Sequence, residues 1–339
     1  MILSVGQPAA SPRLMDAVVF RRQGEAREVL QLERIPVPEC APGDVLVKVT
    51  LSGVNPTDWK VRSGFSGPMR FEFAVPHQDG VGIVADVGKG VDRGRIGQRV
   101  WVYQASYERP WGTAAQYSLV RERQAVPVPE GIDDELAASL GVPAMTAHYA
   151  LLKDGPIAGQ TVLVAGGGGQ VGHFAVELAK RAGAQVIATV GSDDHARQAR
   201  EAGADAVLSY RDPDLAQQVR QVAPGGVERI LEVAPSANAV LDAQVLAQAG
   251  RIVIYAPDLP RLELETQRLM GLNAHVDFML LYLIPDAAKA AAVSDITDAL
   301  SEGALTRLPS RYFSLEETWA AQDAVRIGGQ GKILVRIPS

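Results

Sequence analysis

The chain has 339 residues, of which 47% are hydrophobic and 21% charged, and this composition excludes a disordered or fibrous protein. Its length is sufficient for two domains, each with its own core. The formal net charge of −6, without any block of like charges, argues against nucleic acid or an anionic membrane surface as a partner.

The cysteine content indicates the cellular setting. Cys40 is the single cysteine, which excludes an internal disulfide and a four-cysteine zinc site, so we expect a reducing, cytoplasmic environment. The N-terminal residues lack a basic stretch followed by a long apolar run, and no apolar run reaches the roughly 18 residues that span a bilayer. We therefore expect no signal peptide and no membrane partner.

The first part of the chain predicts a β-rich domain. Residues 1–13 are expected to form a loose arm. Period-two alternation and Gly/Pro punctuation then predict short strands in DAVVF, VLQLERIPVPE, DVLVKVTLSGV, GVGIVADVG, GQRVWVYQ and GTAAQYSLV. Six strands in about 120 residues are typical of a compact, twisted β-domain or partial barrel. The stretch GVNPTDWKVRSG, residues 53–64, is expected to be a loop within this domain.

From Asp133 the pattern becomes helical and then alternates. Residues 133–155 predict a helix from their acidic start and their apolar spacing. Beyond them we expect the strands TVLVAG, QVIATVG, DAVLSY, VERILEVA and RIVIYA, and the helices GHFAVELAKRAG, DDHARQAREAG, LAQQVRQVAPGG and NAVLDAQVLAQAG. Such alternation predicts βαβ units and a doubly wound parallel sheet.

The last third predicts an apolar strand in AHVDFMLLYLIP, a helix in DAAKAAAVSDITDALSEGAL and a final strand in GKILVRIP. The expected organisation is an α/β protein with a β-rich domain over residues 1–138, an α/β domain over 139–284, and a C-terminal segment over 285–339 that returns to the first domain.

The strongest motif is a glycine-rich turn between a predicted strand and a predicted helix. Gly167, Gly169 and Gly172 have the G-x-G-x-x-G spacing, which allows a tight turn, close approach of a pyrophosphate, and close packing of helix on strand. The helix N-terminus, at Gln170 and Val171, offers unpaired N–H groups and a favourable dipole to an anion. A flexible glycine loop without a ligand is the alternative interpretation.

The following strand indicates which nucleotide binds. NAD-binding units carry an acid at its end, but this strand ends on Val190 and Gly191. Hydroxyls and cations that could hold a 2′-phosphate follow, at Ser192, His195, Tyr210 and Arg211. Two acids, Asp193 and Asp194, would repel a phosphate if their side chains pointed towards it. In the first turn of a helix they could instead interact favourably with the helix dipole. We predict NADPH in preference to NADH.

Several separated segments resemble the medium-chain dehydrogenase/reductase superfamily and, within it, the zinc-free, zeta-crystallin-like NADPH:quinone oxidoreductases. They are MDAVVFRRQGEAREVLQLERIPVPE, GVNPTDWKVRSG, GVPAMTAHYAL, AGGGGQVG and GQGKILVRI. The resemblance implies a GroES-like catalytic domain, a Rossmann NADPH-binding domain, a cleft between them, and a homodimer.

Comparison with the zinc-dependent branch argues against a metal. Asn55 stands where those dehydrogenases have a cysteine ligand, and the sequence His77-Gln78-Asp79 replaces their Gly-His-Glu. We therefore expect neither catalytic nor structural zinc. Without a metal, quinones and α,β-unsaturated carbonyl compounds are the easier hydride acceptors, because hydrogen-bond donors suffice for the charge that develops on oxygen.

The resemblance also suggests site residues. Asn55 would lie beside the nicotinamide, and Lys60 matches the alkenal/enone-reductase relatives, where an ammonium could stabilise an enolate or donate a proton. Lys60 could instead be a solvated surface cation. Thr146 would lie near the nicotinamide amide and Lys332 near the cofactor phosphates, unless Lys332 is an exposed strand-edge residue. Apolar residues that could line a substrate pocket, or simply form core, are Trp59, Tyr103, Phe278, Leu281 and Tyr282.

Two other functions remain open. An enoyl-thioester reductase shares the fold and the hydride geometry, but it would need a basic rim that the sequence does not display. A non-catalytic, crystallin-like NADPH-binding protein is the alternative outside enzymes, because a fold alone does not decide function. Within GVNPTDWKVRSG, Asp58 is expected to be a structural acid and not a catalyst, and Arg62 could pair with it.

Overall fold

The structure, a computed structural model, describes residues 13–257, 259–328 and 331–339. Apart from Arg13, the expected N-terminal arm lies outside the described residues. The chain divides into two units, one holding the chain up to Ala125 with Tyr312–Ile327 and Val335–Ser339, the other holding Val126–Arg311 and Gly328–Leu334. The domain limits expected after residues 138 and 284 differ from these divisions and stay a prediction.

Strands are the main regular elements of the chain up to Pro127, and beyond it they alternate with helices. In chain order they are β1 (Leu14–Val19), β2 (Gln31–Pro36), β3 (Asp44–Gly53), β4 (Asp79–Val87), β5 (Arg99–Val102), β6 (Tyr117–Arg121), β7 (Ala125–Pro127), β8 (Thr161–Ala165), β9 (Gln185–Val190), β10 (Ala206–Ser209), β11 (Val227–Glu232), β12 (Leu246–Ile254), β13 (His275–Phe278), β14 (Ser310–Ser314) and β15 (Lys332–Arg336).

The helices are α1 (Ala26–Val29), α2 (Pro56–Ser63), α3 (Asp134–Ala137), α4 (Gly141–Leu152), α5 (Gln170–Arg181), α6 (Asp193–Glu201), α7 (Leu215–Val222), α8 (Pro235–Val245), α9 (Thr266–Gly271), α10 (Asp286–Ser301) and α11 (Thr318–Arg326). Among the described residues, no helix is long and apolar enough to cross a membrane.

The β-rich part is built on a seven-stranded sheet. Its order is β14-β15-β3-β4-β5-β7, with β6 paired to β3, while β1 and β2 form a separate antiparallel pair. Valines from neighbouring strands form its core, among them Val47, Val84, Val100 and Val120. The predicted β-rich, GroES-like part of the fold is confirmed.

The α/β part contains a six-stranded parallel sheet of order β10-β9-β8-β11-β12-β13. The strand order reverses beside β8, which is the arrangement of a Rossmann sheet and creates a crevice at the carboxyl ends of β8 and β11. Apolar residues of the strands and of α7 and α8 fill the core on one face, among them Ile187, Val219, Ile230 and Val245. The predicted Rossmann domain is confirmed.

The expectation of a loop over residues 53–64 was wrong, because most of this stretch is helix α2. Pro56 stands at the first helical position, where it costs no hydrogen bond, and Asp58 Oδ2 accepts a hydrogen bond from the Asn55 N–H at 2.7 Å. The helix ends at Gly64, whose φ of 88° is a left-handed C-cap. Turn-forming residues here mark the two ends of a helix.

Two predicted element boundaries were also wrong. The helix expected over residues 238–250 ends at Val245, and β12 begins at Leu246, in register with Val227 of β11. The strand expected over residues 274–285 ends at Phe278 because β12, its partner, ends at Ile254, and a short 3-10 turn follows at Leu281–Leu283. The helix expected over residues 133–155 is divided into α3 and α4, and β14 and α11 were not predicted.

Candidate active site

The glycine-rich turn has the close packing that its spacing predicts. A Cβ at Gly167 would lie 2.6 Å from the Ala188 Cβ, and a Cβ at Gly172 would clash with the Gly166 carbonyl oxygen. Gly169 is different, since the nearest atom to its Cβ position is the Gly166 carbonyl oxygen at 3.4 Å, and the residue is exposed. The space in front of Gly169 is therefore where a ligand can approach the backbone.

Helix α5 starts immediately after this turn. Gly169 is its N-cap, with no side chain to occupy the N–H groups, and Gln170 and Val171 form the first turn and are half-buried. Free N–H groups and the positive end of the helix dipole make such a terminus an anion site. The turn and the helix start together fit the pyrophosphate of a dinucleotide.

The residues predicted to hold a 2′-phosphate lie beside the same turn. A Cβ at Gly168 would clash with His195 in the first turn of α6, and a Cβ at Gly191 would clash with the Tyr210 hydroxyl. The Tyr210 N–H donates to the Val190 carbonyl at 3.0 Å, which fixes Tyr210 at the carboxyl end of β9.

Ser192 and Arg211 complete this group. Ser192 is the N-cap of α6 and accepts a hydrogen bond from the His195 N–H at 3.3 Å. Arg211 follows Tyr210, and its N–H donates to Ser209 Oγ at 3.2 Å. Ser192, Tyr210 and Arg211 are exposed. The structure therefore brings hydroxyls and a cation to the carboxyl ends of β9 and β10.

The two acids that complicate the nucleotide prediction lie in the first turn of α6. Asp194 Oδ1 forms an ion pair with Arg197 NH2 at 2.9 Å, one helical turn further on, and Asp193 is exposed. Acids at this position stabilise the positive end of the helix dipole. The pairing of Asp194 with Arg197 reduces its repulsion of an anion.

Thr146 and Lys332 are both buried in the second unit. Thr146 lies in α4 with 5% of its surface exposed, and Lys332 begins β15 with 1% exposed. Because β15 has β14 on one side and β3 on the other, Lys332 is not the exposed strand-edge lysine of the alternative interpretation. The contacts of either residue with a cofactor stay a prediction.

Sequence reasoning missed a buried pair of carboxyl groups at the carboxyl end of β11. Glu232 accepts hydrogen bonds from the Ala234 N–H at 2.5 Å and from Asn238 Nδ2 at 3.0 and 3.1 Å. The side chain of Asp242 hydrogen-bonds to Glu232, and burial beside this acid raises the pKa of Asp242 well above its ordinary value. The protonated form of Asp242 is therefore favoured beside Glu232. An acid at the end of an otherwise apolar strand was the available signal.

Asn55 occupies the N-cap of α2 in the first unit. Its side chain is buried, and Nδ2 donates a 2.6 Å hydrogen bond to Asp79 Oδ2 at the start of β4. Asp79 is also fully buried. Asp79 was not predicted as a site residue, although an acid at the start of an apolar strand was visible in the sequence.

Lys60 lies in the last turn of α2 and is half-buried. Its ammonium lies 5.8 Å from the ring centroid of Trp59 and 5.4 Å from that of Phe65, with no carboxylate within 4.0 Å in the described part of the chain. Burial lowers the pKa of Lys60 below its ordinary value. An ammonium between two aromatic rings, partly removed from water, is a better proton donor than a solvated lysine.

The expected Asp58–Arg62 pair was wrong. Asp58 Oδ2 caps α2 at the Asn55 N–H, whereas Arg62 Nε donates to Gln322 Oε1 of α11 at 2.8 Å. Arg62 also donates to the Gly24 carbonyl, and its side chain is buried. Arg62 therefore anchors the C-terminal end of the helix that carries Asn55 and Lys60.

The donor set in this region does not fit zinc. Asn55 uses its amide nitrogen as a donor to Asp79, and His77 Nδ1 lies 2.8 Å from Ser52 Oγ. Within the described ranges, no three histidine, cysteine or acidic side chains are grouped so that they could hold a metal ion. A structural zinc lobe would need four cysteines, and the sequence has one.

The predicted substrate-pocket residues divide between the two units. Trp59 packs against Phe65 with ring centroids 6.1 Å apart, and Tyr103 is buried against Trp101 with centroids 5.7 Å apart. In the other unit, Leu281 is buried, Tyr282 is half-buried, and Phe278 is 71% exposed at the end of β13. Their common role in one pocket stays a prediction. Two surface cavities of about 450 and 530 Å³, in the first unit, contain no predicted site residue.

Comparison with known proteins agrees with this geometry. Residues 41–130 match the family described as alcohol dehydrogenase GroES-like domain, and residues 171–294 match the family described as zinc-binding dehydrogenase. A quinone oxidoreductase of Lama guanicoe is 32% identical over 252 residues, 73% of this chain and 74% of the relative.

Two solved structures extend the likeness over nearly the whole chain. A mycobacterial protein complexed with NADPH has a TM-score of 0.84 and 25% identity, and the match covers 95% of this chain and 100% of that one. A structure described as an NAD-dependent alcohol dehydrogenase has a TM-score of 0.85 and 26% identity over 96% of this chain and 100% of that one. The chain belongs to the medium-chain dehydrogenase/reductase family, among relatives of the zeta-crystallin-like quinone oxidoreductase type.

Proposed function

We propose that this protein is an NADPH-dependent, zinc-independent oxidoreductase that reduces quinones or α,β-unsaturated carbonyl compounds. The observation that carries the proposal is the hydrogen bond from Asn55 Nδ2 to Asp79 Oδ2. It directs the amide nitrogen of the asparagine at the metal-ligand position to a carboxylate, so this side chain is a hydrogen-bond donor and not a metal ligand. Conjugated acceptors are the substrates that such a site can reduce.

NADPH, when bound, supplies the hydride from C4 of its nicotinamide ring. The turn from Gly167 to Gly172 and the start of α5 would hold its pyrophosphate, with Thr146 and Lys332 at its nicotinamide amide and phosphates. Ser192, His195, Tyr210 and Arg211 would hold the 2′-phosphate. NAD-binding units have an acid at the end of this strand, but β9 ends on Val190, and the cation Arg211 is exposed nearby in the sequence. Both features support NADPH over NADH.

Lys60 would supply the proton that accompanies the hydride. Its ammonium is partly desolvated, which lowers its pKa and raises its acidity towards an enolate or hydroquinone oxygen. After it gives up a proton, the neutral amine would be reprotonated from water. Trp59, Tyr103, Phe278, Leu281 and Tyr282 would provide apolar surface for the acceptor.

We also propose a homodimer in the cytoplasm. β13 is the last strand in the order of its sheet, and beside it Phe278, Leu280 and Leu283 are 71%, 53% and 70% exposed. A strand edge next to an apolar patch supports pairing with a second copy. The single cysteine supports a reducing compartment.

A panel of acceptors tests the proposed function. NADPH oxidation would be followed with small quinones, small enones and enoyl thioesters, each repeated with NADH. We expect turnover with quinones or enones and a lower KM for NADPH than for NADH. Turnover with enoyl thioesters alone would favour the thioester reductase, and no turnover with any acceptor would favour the non-catalytic binding protein.

A further inference from the structure

Three buried polar side chains of the first unit form a continuous hydrogen-bonded chain. Ser52 Oγ lies 2.8 Å from His77 Nδ1 and 2.7 Å from Thr113 Oγ1, and Thr113 Oγ1 donates to the Asp79 carbonyl oxygen at 2.6 Å. Ser52, His77 and Thr113 are each 0% exposed. Solvent therefore does not compete for these hydrogen bonds.

The donor-to-acceptor direction of this hydrogen-bond chain follows from its last bond. A carbonyl oxygen only accepts, so the Thr113 hydroxyl proton is directed at Asp79. Thr113 Oγ1 must then accept the proton of Ser52, and Ser52 Oγ must accept a proton from His77. All three hydrogen bonds form together only when His77 carries a proton on Nδ1.

The hydrogen-bond chain ends at Asp79, the residue that binds Asn55. The carbonyl of Asp79 accepts from Thr113, and its carboxylate oxygen Oδ2 accepts from Asn55 Nδ2 at 2.6 Å. The sheet also places Ser52 close to Asp79, because the next residue of β3, Gly53, is in register with Asp79 of β4. The hydrogen-bond chain therefore holds the backbone carbonyl of Asp79, the residue whose carboxylate binds Asn55.

The backbone at His77 also indicates a position held by its surroundings. Its φ is 78°, in the left-handed region that residues other than glycine rarely adopt. The Thr113 N–H donates to the His77 carbonyl at 3.1 Å, and the Ala114 N–H donates to the Pro76 carbonyl at 3.2 Å. Local strain that the surrounding contacts maintain is typical of functional sites.

We propose that Ser52, His77 and Thr113 are positioning residues for the Asn55–Asp79 pair, and that their hydrogen-bond chain holds His77 as its Nδ1–H tautomer. None of the three touches solvent, so they act through Asp79 and not on a substrate. The catalytic consequence rests on the proposed function, because it assumes that Asn55 faces the reacting groups. The tautomer does not depend on that assumption.

Nitrogen-15 NMR of histidine-labelled protein tests the tautomer without turnover. The signal of His77 is assigned by its loss in H77N, where an asparagine tolerates the left-handed backbone. We expect the Nδ1–H tautomer in the unaltered protein and in T113S, which keeps the hydroxyl. In T113V the Ser52 proton is free to point at His77 Nδ1, so we expect a change to the Nε2–H tautomer.

Kinetics of the same variants test the positioning role. We expect T113V to lower kcat by about tenfold to a hundredfold, with T113S near the unaltered rate and NADPH affinity unchanged in both. An Nε2–H tautomer in the unaltered protein overturns the proposal, and so does a T113V enzyme with unchanged tautomer and unchanged kcat. If T113V does not fold, the spectra of the unaltered protein and T113S still decide the tautomer. Absence of turnover in the unaltered protein would count against the proposed function instead.

Discussion

Asn55 Nδ2 lies 2.6 Å from Asp79 Oδ2, and neither side chain is in contact with solvent to any appreciable extent. A short hydrogen bond to a buried carboxylate is strong, and it fixes which end of the amide faces Asp79. The pair joins the start of α2 to the start of β4. It therefore determines the position of the helix that carries Lys60.

Replacement of the acceptor in this pair should reduce turnover. D79N removes the carboxylate that holds Asn55, so we expect kcat to fall by about tenfold to a hundredfold with little change in NADPH affinity. Steady-state rates and NADPH fluorescence titration measure the two quantities. D86N, on an exposed position of the same strand, is the matched control. Equal rates for D79N and D86N would contradict a role of the pair in turnover.

Loss of the Lys60 ammonium should affect proton transfer and not cofactor binding. K60M keeps most of the apolar length of the side chain and removes its charge, and we expect kcat with enones to fall at least about tenfold while NADPH affinity is unchanged. K89M, at an exposed lysine of the same unit, serves as the control. If the two variants turn over enones at the same rate, Lys60 is a surface cation.

The pH profile should reveal the same group. Burial lowers the pKa of Lys60, so its ammonium loses its proton at a lower pH than an ordinary lysine does. Activity that needs this proton is present below that pKa and lost as the pH rises through it. We expect an alkaline limb in kcat that is absent from K60M. A limb that persists in K60M would assign it to another group.

Nucleotide selectivity should depend on Arg211. R211A removes an exposed cation beside the predicted 2′-phosphate position, and we expect the KM for NADPH to rise about tenfold while that for NADH is unchanged. R200A, at the far end of α6, is a control of the same charge. A parallel rise for both nucleotides, or no rise, would place the 2′-phosphate elsewhere.

The Glu232–Asp242 pair should make stability fall with increasing pH. Because burial raises the pKa of Asp242, the folded protein keeps a proton that the unfolded chain has lost. The contribution is fully present below the ordinary aspartate pKa of 3.8 and is lost as the pH rises through the raised value. In D242N the amide donates to Glu232 at every pH.

Chemical denaturation of D242N and the unaltered protein over a pH series measures this effect. We expect D242N to gain stability relative to the unaltered protein as the pH rises. A difference between the two that does not vary with pH would show that Asp242 carries no extra proton in the folded state.

Arg62 should stabilise the first unit. R62M leaves the Gln322 side chain and the Gly24 carbonyl without their buried donor, so we expect a loss of roughly 2 kcal/mol in the free energy of unfolding. R22M, at an exposed arginine nearby, should cost much less. Denaturation midpoints of the two variants give the comparison. Equal midpoints would contradict an anchoring role for Arg62.

Local signals in the sequence predicted much of the fold. The spacing of Gly167, Gly169 and Gly172, with strands and helices in alternation around it, determines the Rossmann sheet through contacts between near neighbours. Residues that cap α2 were read as a loop because Pro56, Asp58 and Gly64 are equally common in turns. The alanine- and glutamine-rich start of β12 favours a helix by propensity, but pairing with β11 decides its conformation.

The candidate site was less predictable because its partners are distant in sequence. Arg62 and Gln322 are 260 residues apart, and Ser52 and Thr113 are 61 apart, so neither contact has a local pattern. The cofactor residues from Gly167 to Arg211 lie within one run of βαβ units, where the topology itself brings strand ends together.

The rate of NADPH oxidation by metal-depleted protein is the most direct test of the central claim. Protein would be dialysed against a strong chelator, its zinc content measured, and its turnover with a small quinone and a small enone compared with that of untreated protein. We predict the same rate before and after metal removal, because in the proposed site hydrogen-bond donors take the place of a metal. A rate that is lost with the metal and restored by added zinc would contradict the account.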